Sequence, residues 1–137
     1  MNASAESLDQ LVGEWLTVPD VAERLGIEAT KVRRMVQERR VVGTRRGDPR
    51  VFSIPASFLV PGHLANPAQP TAPVADEPWT VLASLQGTLT VLSDAGFSDE
   101  DAIEWLFTPQ EGLPGTPIDA LRAGRKTEIR RLAAAEL

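Results

Sequence analysis

The sequence predicts a mainly α-helical protein with one small β-hairpin. Three observations support this fold class: two short helical patterns joined by a turn that contains glycine, an alternating apolar segment on either side of a Gly-Asp-Pro turn, and several capped helical patterns towards the C-terminus. The chain has 137 residues, enough for one ordinary domain or two very small ones. Residues 1–10 are polar and acidic and are predicted to form a flexible tail.

The first helix of the ordered part is predicted to begin after Thr17. Thr17 is a suitable N-cap, Pro19 falls in the first turn, and Asp20 is placed to complete a capping box. Apolar residues then follow at helical spacing. Gly26, the residue type best suited to positive φ, ends this helix.

A second helix is predicted from Ala29 to about Arg39, with Glu28 at its capping position. Its apolar positions, expected to face the core, are Val32, Met35 and Val36. Its polar positions, expected to face outwards, are Thr30, Lys31, Arg33, Arg34 and Gln37. Two short helices joined by a turn of three or four residues containing glycine are typical of a helix-turn-helix.

The residues after this pair are predicted to form a β-hairpin. Residues 41–45 are rich in β-branched side chains, residues 51–54 nearly alternate, and Arg46-Gly47-Asp48-Pro49 has the composition of a turn. A hairpin in this position would be a wing with Arg45, Arg46 and Arg50 at its tip. Residues 1–60 are therefore predicted to be a winged helix-turn-helix domain.

A proline-rich segment follows the wing. Residues 61–78 hold five of the eleven prolines, and proline disfavours both helix interiors and central strands. We interpret this segment as a semi-extended linker between the winged domain and a C-terminal helical domain, 79–137. His63 lies within it and is expected to be solvated.

The C-terminal domain is predicted to be a small helical bundle. Residues 81–95 carry a stripe of four leucines, and Gly87 within it marks a close helix crossing. Ser98 and Asp101 form a second capping pair, and Thr116 caps a third helix that opens with Pro117. A last helix is predicted from Lys126 to Leu137.

Charge is distributed unevenly along the chain. The net charge is −5, from 14 basic and 19 acidic residues, but residues 24–50 hold nine bases and three acids. This basic block coincides with the second helix and the wing, which favours a phosphate-bearing partner despite the acidic total. The alternative is a solvated charged face, since long basic side chains are usually exposed.

The basic block supplies the residue types that contact double-stranded DNA. Arg33, Arg34 and Gln37 are predicted to read bases, because Arg pairs with guanine and Gln with adenine through two hydrogen bonds. Lys31, Arg39 and the wing arginines are predicted mainly to neutralise phosphate, with the wing on phosphate or in an adjacent minor groove. The candidate DNA-binding residues are Thr30, Lys31, Arg33, Arg34, Gln37, Arg39, Arg40, Arg45, Arg46 and Arg50.

Several short motifs now support a resemblance to known families. An opening Leu-Thr, a Val-Ala-x-x-Leu-Gly-Ile stretch, a Lys-Val-Arg-Arg helix and a hairpin make residues 16–59 similar to the winged helix-turn-helix of the MerR and excisionase type. The whole chain resembles a small actinobacterial family of DNA-binding proteins that adds a C-terminal helical domain with a Trp-Leu-Phe-Thr-Pro element, here 105–109. The resemblance implies DNA binding without catalysis.

Enzymatic function classes find no support in the composition. The chain has no cysteine and one histidine, so thiolate chemistry and a histidine-based metal cluster are excluded. The acids at 99–104 fit helix-dipole compensation better than acid–base catalysis. We expect no catalytic residue, no metal and no cofactor. No apolar run is long enough for a membrane helix and no signal peptide is visible, so a cytoplasmic, nucleoid-associated protein is expected.

The leading hypothesis from the sequence is a transcriptional regulator that binds double-stranded DNA, with a homodimer expected because one small module buries little surface. The alternative is an antitoxin-like or adaptor module that binds a protein partner through its C-terminal helices. A Trp-Leu element, a Pro-Gly loop and a Pro-Ile-Asp-x-Leu helix support this second hypothesis.

Overall fold

The structure, a computed structural model, describes residues 5–47 and 49–137, with side chains from residue 8 onwards in those ranges. The helices of this described part are α1 (Ala5–Val12), α2 (Val18–Leu25), α3 (Ala29–Gln37), α4 (Leu85–Asp94), α5 (Asp99–Phe107), α6 (Pro117–Arg122) and α7 (Lys126–Ala134). The strands are β1 (Trp15–Thr17), β2 (Thr44–Arg46), β3 (Val51–Pro55), β4 (Leu59–Pro61) and β5 (Trp79–Val81).

The start of α2 confirms the predicted capping box. The Thr17 hydroxyl accepts a hydrogen bond from the Asp20 N–H at 3.3 Å, and the Asp20 carboxylate accepts one from the Thr17 N–H at 3.3 Å. Gly26 ends the helix with φ 67°, as predicted from the composition of the turn. Helices α2 and α3 pack against each other as a helix-turn-helix.

The end of α3 differs from the prediction. The helix stops at Gln37 rather than Arg39, because Arg39 adopts a positive φ of 57° that no right-handed helix accommodates. The start is correct, and Glu28 occupies the N-cap position without a side-chain hydrogen bond.

The wing is a hairpin of β2 and β3, extended by a strand that the sequence analysis missed. The sheet order is β1-β3-β2, with Leu16 opposite Ile54 and Arg45 opposite Phe52. Strand β1 has only three residues, too few for a period-two pattern to be recognised. Asp48 of the predicted turn lies outside the described residues.

The proline-rich segment is closed at its base by a second small sheet. Leu59 pairs with Val81 and Pro61 with Trp79 in antiparallel register, so the two ends of the segment lie side by side. The expectation of a solvated His63 is wrong, because its Nδ1 bonds a Glu77 carboxylate oxygen and both side chains are largely buried. The division of the chain into two domains here stays a prediction.

The C-terminal helices follow the predicted order, but the start of α4 and the end of α7 differ from the prediction. Helix α4 begins at Leu85 rather than Val81, because Val81 pairs with β4. The leucine stripe is buried. The predicted caps are present: Ser98 pairs with Asp101, and the Thr116 hydroxyl accepts from the Asp119 N–H. Helix α7 ends at Ala134.

Buried apolar side chains from both halves form one contiguous cluster. It includes Leu8, which is only 2% exposed, and α1 packs against α5. The flexible tail predicted for residues 1–10 is therefore wrong from Ala5 onwards, while residues 1–4 lie outside the described part.

Candidate nucleic-acid interface

The outer face of α3 is polar and positively charged. Val32 is fully buried and anchors the inner side, while Met35 and Val36 are half-buried against the core. The exposed side chains are those predicted to face outwards: Thr30, Lys31, Arg33, Arg34 and Gln37. The helix contains three bases and no acid, so the charged side chains within it are all positive, with Glu28 and Glu38 at its two ends.

Two of the three wing arginines are exposed. Arg45 lies on β2 opposite Phe52, and Arg50 immediately precedes β3. Both line a groove of about 420 Å³ between the wing and the first turn of α5. The opposite wall of this groove is formed by Ser98, Asp99 and Glu100, so the two exposed arginines face a negatively charged edge.

Arg46, the third wing arginine, has an intramolecular partner. Its Nε donates to Asp9 Oδ1 of α1 at 2.7 Å, and its guanidinium carbon lies 5.1 Å from the centre of the Trp15 ring. This hydrogen bond holds the pKa of the Asp9 carboxyl below its ordinary value and raises the pKa of Arg46. Contact with phosphate would have to compete with, or add to, the bond to Asp9.

Arg39, at the end of α3, bonds to the C-terminal half. Its Nη1 donates to Asp99 Oδ1 at 2.8 Å, and both side chains remain partly exposed. Arg40 is half-buried, and its N–H donates to the Met35 carbonyl at 2.9 Å. The sequence analysis assigned Asp99 to helix-dipole compensation, and nothing in the local pattern indicates a partner sixty residues away.

These contacts bring the candidate residues of α3 and of the wing to one region. Asp99 bonds Arg39 at the end of α3 and also lines the groove with Arg45 and Arg50. Asp99 therefore lies between the residue that follows α3 and the exposed wing arginines. Among the pairs that the described residues form, Arg39 and Arg46 are the candidates with a carboxylate partner.

Arg24, in the last turn of α2, contacts residues outside that helix. Its Nη2 lies 3.9 Å from a Glu14 carboxylate oxygen, and its guanidinium carbon lies 5.4 Å from the centre of the Trp79 ring. Glu14 directly precedes β1, and Trp79 begins β5, and the sequence analysis predicted neither strand. Trp105 is a buried core residue.

Two further observations bear on other kinds of site. Within residues 5–47 and 49–137, no three His, Cys, Asp or Glu side chains are arranged to hold a metal ion. None of the helices described there has the length and apolar character needed to cross a membrane.

Comparison with known proteins gives matches along most of the chain. Residues 1–59 match the family model "DNA-binding protein Rv2175c, wHTH domain", and residues 82–136 match "Rv2175c C-terminal domain of unknown function". The chain is 34% identical over 130 residues to "DNA-binding protein Rv2175c" of Mycobacterium tuberculosis (strain ATCC 25618 / H37Rv), covering 86% of this chain and 77% of that protein.

A solved structure is similar in fold. The NMR structure of Rv2175c superposes with a TM-score of 0.68 at 30% sequence identity, over 89% of this chain and 80% of that chain. The predicted fold class, a winged helix-turn-helix followed by a C-terminal helical bundle, is confirmed.

Proposed function

Because the chain belongs to the Rv2175c family, whose N-terminal domain is a winged helix-turn-helix, we propose that it binds double-stranded DNA with α3 in the major groove. The single observation that carries this proposal is the outer face of α3. Lys31, Arg33 and Arg34 are all exposed there, and no acidic residue lies within the helix. An α-helix fits the major groove, and such a face would meet the negative potential of the backbone without an internal counter-ion.

The residues on this face suit a division between base reading and phosphate binding. Arg33, Arg34 and Gln37 have the side chains that form paired hydrogen bonds with guanine and adenine edges. Lys31 and the exposed wing residues Arg45 and Arg50 would bind phosphate, with the wing on the backbone or in an adjacent minor groove.

The remaining arginines would contribute less directly. Arg40 is half-buried, and Arg39 and Arg46 bond to carboxylates of this chain. We propose that they contact phosphate only through donors that these bonds leave unused, since a guanidinium has five N–H groups.

The biological role that fits these properties is a transcriptional regulator related to the MerR and excisionase type, acting at the nucleoid. A single small winged domain buries little surface on DNA, so we propose that a homodimer or cooperative assembly occupies the operator. The function needs no enzyme chemistry and no cofactor.

The alternative of an antitoxin-like or adaptor module would place the functional surface on the C-terminal helices. The contacts of those helices favour a different role. Asp99 of α5 and Gln86 of α4 both bond residues that end α3, which ties the C-terminal half to the proposed DNA-binding helix.

Fluorescence anisotropy with the full chain tests the proposal. The probe is a duplex enriched from a random pool by the protein itself, and a scrambled duplex is the reference. We expect binding that weakens steeply with added salt, because phosphate contacts release counter-ions. Absence of binding to any duplex at low salt would refute the proposal.

A pair of matched variants localises the binding surface. Arg33→Ala with Arg34→Ala removes two charges from α3 and should reduce affinity strongly. Arg131→Ala with Lys126→Ala removes two charges from exposed positions on α7 and should have little effect. Equal losses in the two double variants would show that net charge, rather than α3, governs binding.

A further inference from the structure

The residue that follows the end of α3 has an unusual backbone conformation. Arg39 has φ 57°, and the other non-glycine residue with positive φ in the described part is Asp76. The Arg39 N–H donates to the Val36 carbonyl at 3.0 Å, and the Arg40 N–H reaches back to the Met35 carbonyl at 2.9 Å. Glycine is the usual residue in such a C-terminal motif, because it adopts this conformation without steric cost. An arginine at this position indicates that its side chain makes a contact that offsets the steric cost.

That side chain crosses to the C-terminal half. Arg39 Nη1 lies 2.8 Å from Asp99 Oδ1, and Asp99 is the first residue of α5. A second bond lies beside it, where Gln86 Nε2 of α4 donates to the Glu38 carbonyl at 3.1 Å. Two helices of the C-terminal half therefore bond the two consecutive residues that follow α3.

We infer that the C-terminal helical half is a brace that fixes the direction of α3 relative to the wing, with Asp99 as its positioning residue. This inference rests on the proposed function, because it concerns how α3 is presented to DNA. The direction of a helix in the major groove decides which base edges its side chains meet. Loosening the brace should therefore weaken binding to the preferred sequence more than binding to DNA in general.

Simple electrostatics makes the opposite prediction for Asp99. Asp99 and Glu100 line one wall of the groove whose other wall carries Arg45 and Arg50. If Asp99 only competed with phosphate for these arginines, removing its charge would tighten binding to every duplex. If Asp99 is part of a brace, removing its charge should instead weaken binding to the preferred sequence. This should happen even though the change takes a negative charge away from the side that faces DNA.

The test compares Asp99→Asn with Glu100→Gln in the full chain. The two changes each remove one negative charge from the same turn of α5, but only Asp99 bonds Arg39. With the duplex selected by the wild-type protein, we expect Asp99→Asn to weaken binding about two- to fivefold, the range expected for a partly exposed ion pair. Binding to the scrambled duplex should not weaken. Glu100→Gln should leave the affinities for the selected and the scrambled duplex at their wild-type values or slightly higher.

A double-mutant cycle with Arg39→Gly shows whether the two residues act together. Glycine relieves the positive φ and removes the ion pair, so the variant should fold while losing the brace. In that background Asp99→Asn should have no further effect on specific affinity. Independent, additive losses, or tighter binding by Asp99→Asn alone, would overturn the inference.

Hydrogen exchange without DNA separates this inference from the proposed function. The Arg39 and Arg40 amides should exchange faster in Asp99→Asn than in Glu100→Gln, because Arg39 has lost its charged partner and the bond that remains is weaker. Unchanged exchange in Asp99→Asn would refute the brace even if the wild-type protein binds DNA. If the wild type binds no duplex, the proposed function and the role of the brace in it both fail.

Discussion

Arg46 of the wing donates from Nε to Asp9 Oδ1 of α1 across 2.7 Å. The same guanidinium lies over the Trp15 ring, so one side chain joins α1, β1 and the wing. This contact secures the N-terminal helix to the proposed DNA-binding domain. It also supplies an internal anion to an arginine that the sequence alone assigns to phosphate.

Acid should remove the contribution of this pair to stability. The hydrogen bond from Arg46 holds the pKa of Asp9 below the unfolded value of 3.8. A carboxyl with a lowered folded pKa stabilises the folded state above its unfolded pKa, and that contribution disappears as the pH falls through the folded pKa. The contribution should therefore be complete above about pH 5 and fade below pH 4.

Thermal unfolding of the wild type and Asp9→Asn between pH 6 and pH 2.5 measures this effect. The variant should be less stable at pH 6, and the difference should shrink as the pH falls below 4. Asp94→Asn, at an exposed position with no described ion pair, is the control. A stability difference for Asp9→Asn that stays constant over this range would contradict the assigned ion pair.

Arg33 and Arg45 should affect DNA binding in different ways. Arg33→Ala should relax base preference, because Arg33 lies on the outer face of α3 and is assigned to a base edge. Arg45→Ala should weaken binding to all sequences alike and reduce the salt dependence by about one counter-ion. Selection from a random duplex pool, followed by salt titrations, measures both effects. Uniform and equal losses from the two variants would refute the assigned roles.

Two glycines should respond oppositely to alanine. Gly26 has φ 67°, and a side chain in that conformation costs about 1 kcal/mol or more. Gly87 lies inside α4 under the guanidinium of Arg130, an exposed and flexible group that can move aside. Gly87→Ala should then gain up to about 1 kcal/mol from helix propensity.

Urea unfolding of the two alanine variants checks this pair. Gly115→Ala is the control, because its added methyl would make only an ordinary contact, 3.6 Å from an Asp119 oxygen. Destabilisation by Gly87→Ala comparable with that of Gly26→Ala would show that Arg130 is fixed in place and that the crossing of α4 and α7 is tight.

The His63–Glu77 pair should hold the proline-rich segment closed. His63→Ala should speed hydrogen exchange at the Gly62 and Thr71 amides, which donate to the Pro78 and His63 carbonyls. Gln69→Ala, an exposed change in the same segment, should leave both amides protected. Equal exchange in the two variants would mean that the β4–β5 pairing alone closes the segment.

Local signals in the sequence predict the helices of this fold well. Thr17 with Asp20, Ser98 with Asp101, and Gly26 act within four residues of the elements they bound, so the capping pattern reveals them. The helical spacing of the apolar residues in α3 predicts its exposed face equally well. Contacts between distant segments could not be predicted in this way.

The missed features all depend on such distant contacts. Strands β1 and β5 have three residues each and exist because they pair with β3 and β4. The partners of Arg46 and Arg39 lie 37 and 60 residues away along the chain. Helix α1 is held by Leu8 in a core that includes the C-terminal half, which a polar N-terminal sequence does not reveal.

Amide chemical-shift mapping of the full chain, titrated with the selected duplex, tests the central claim most directly. The largest shifts should fall within residues 29–37 and 44–52, with smaller shifts at the first turn of α5 and little change in α6 and α7. Shifts concentrated in α6 and α7, with α3 unaffected, would contradict the claim that α3 and the wing form the DNA-binding surface.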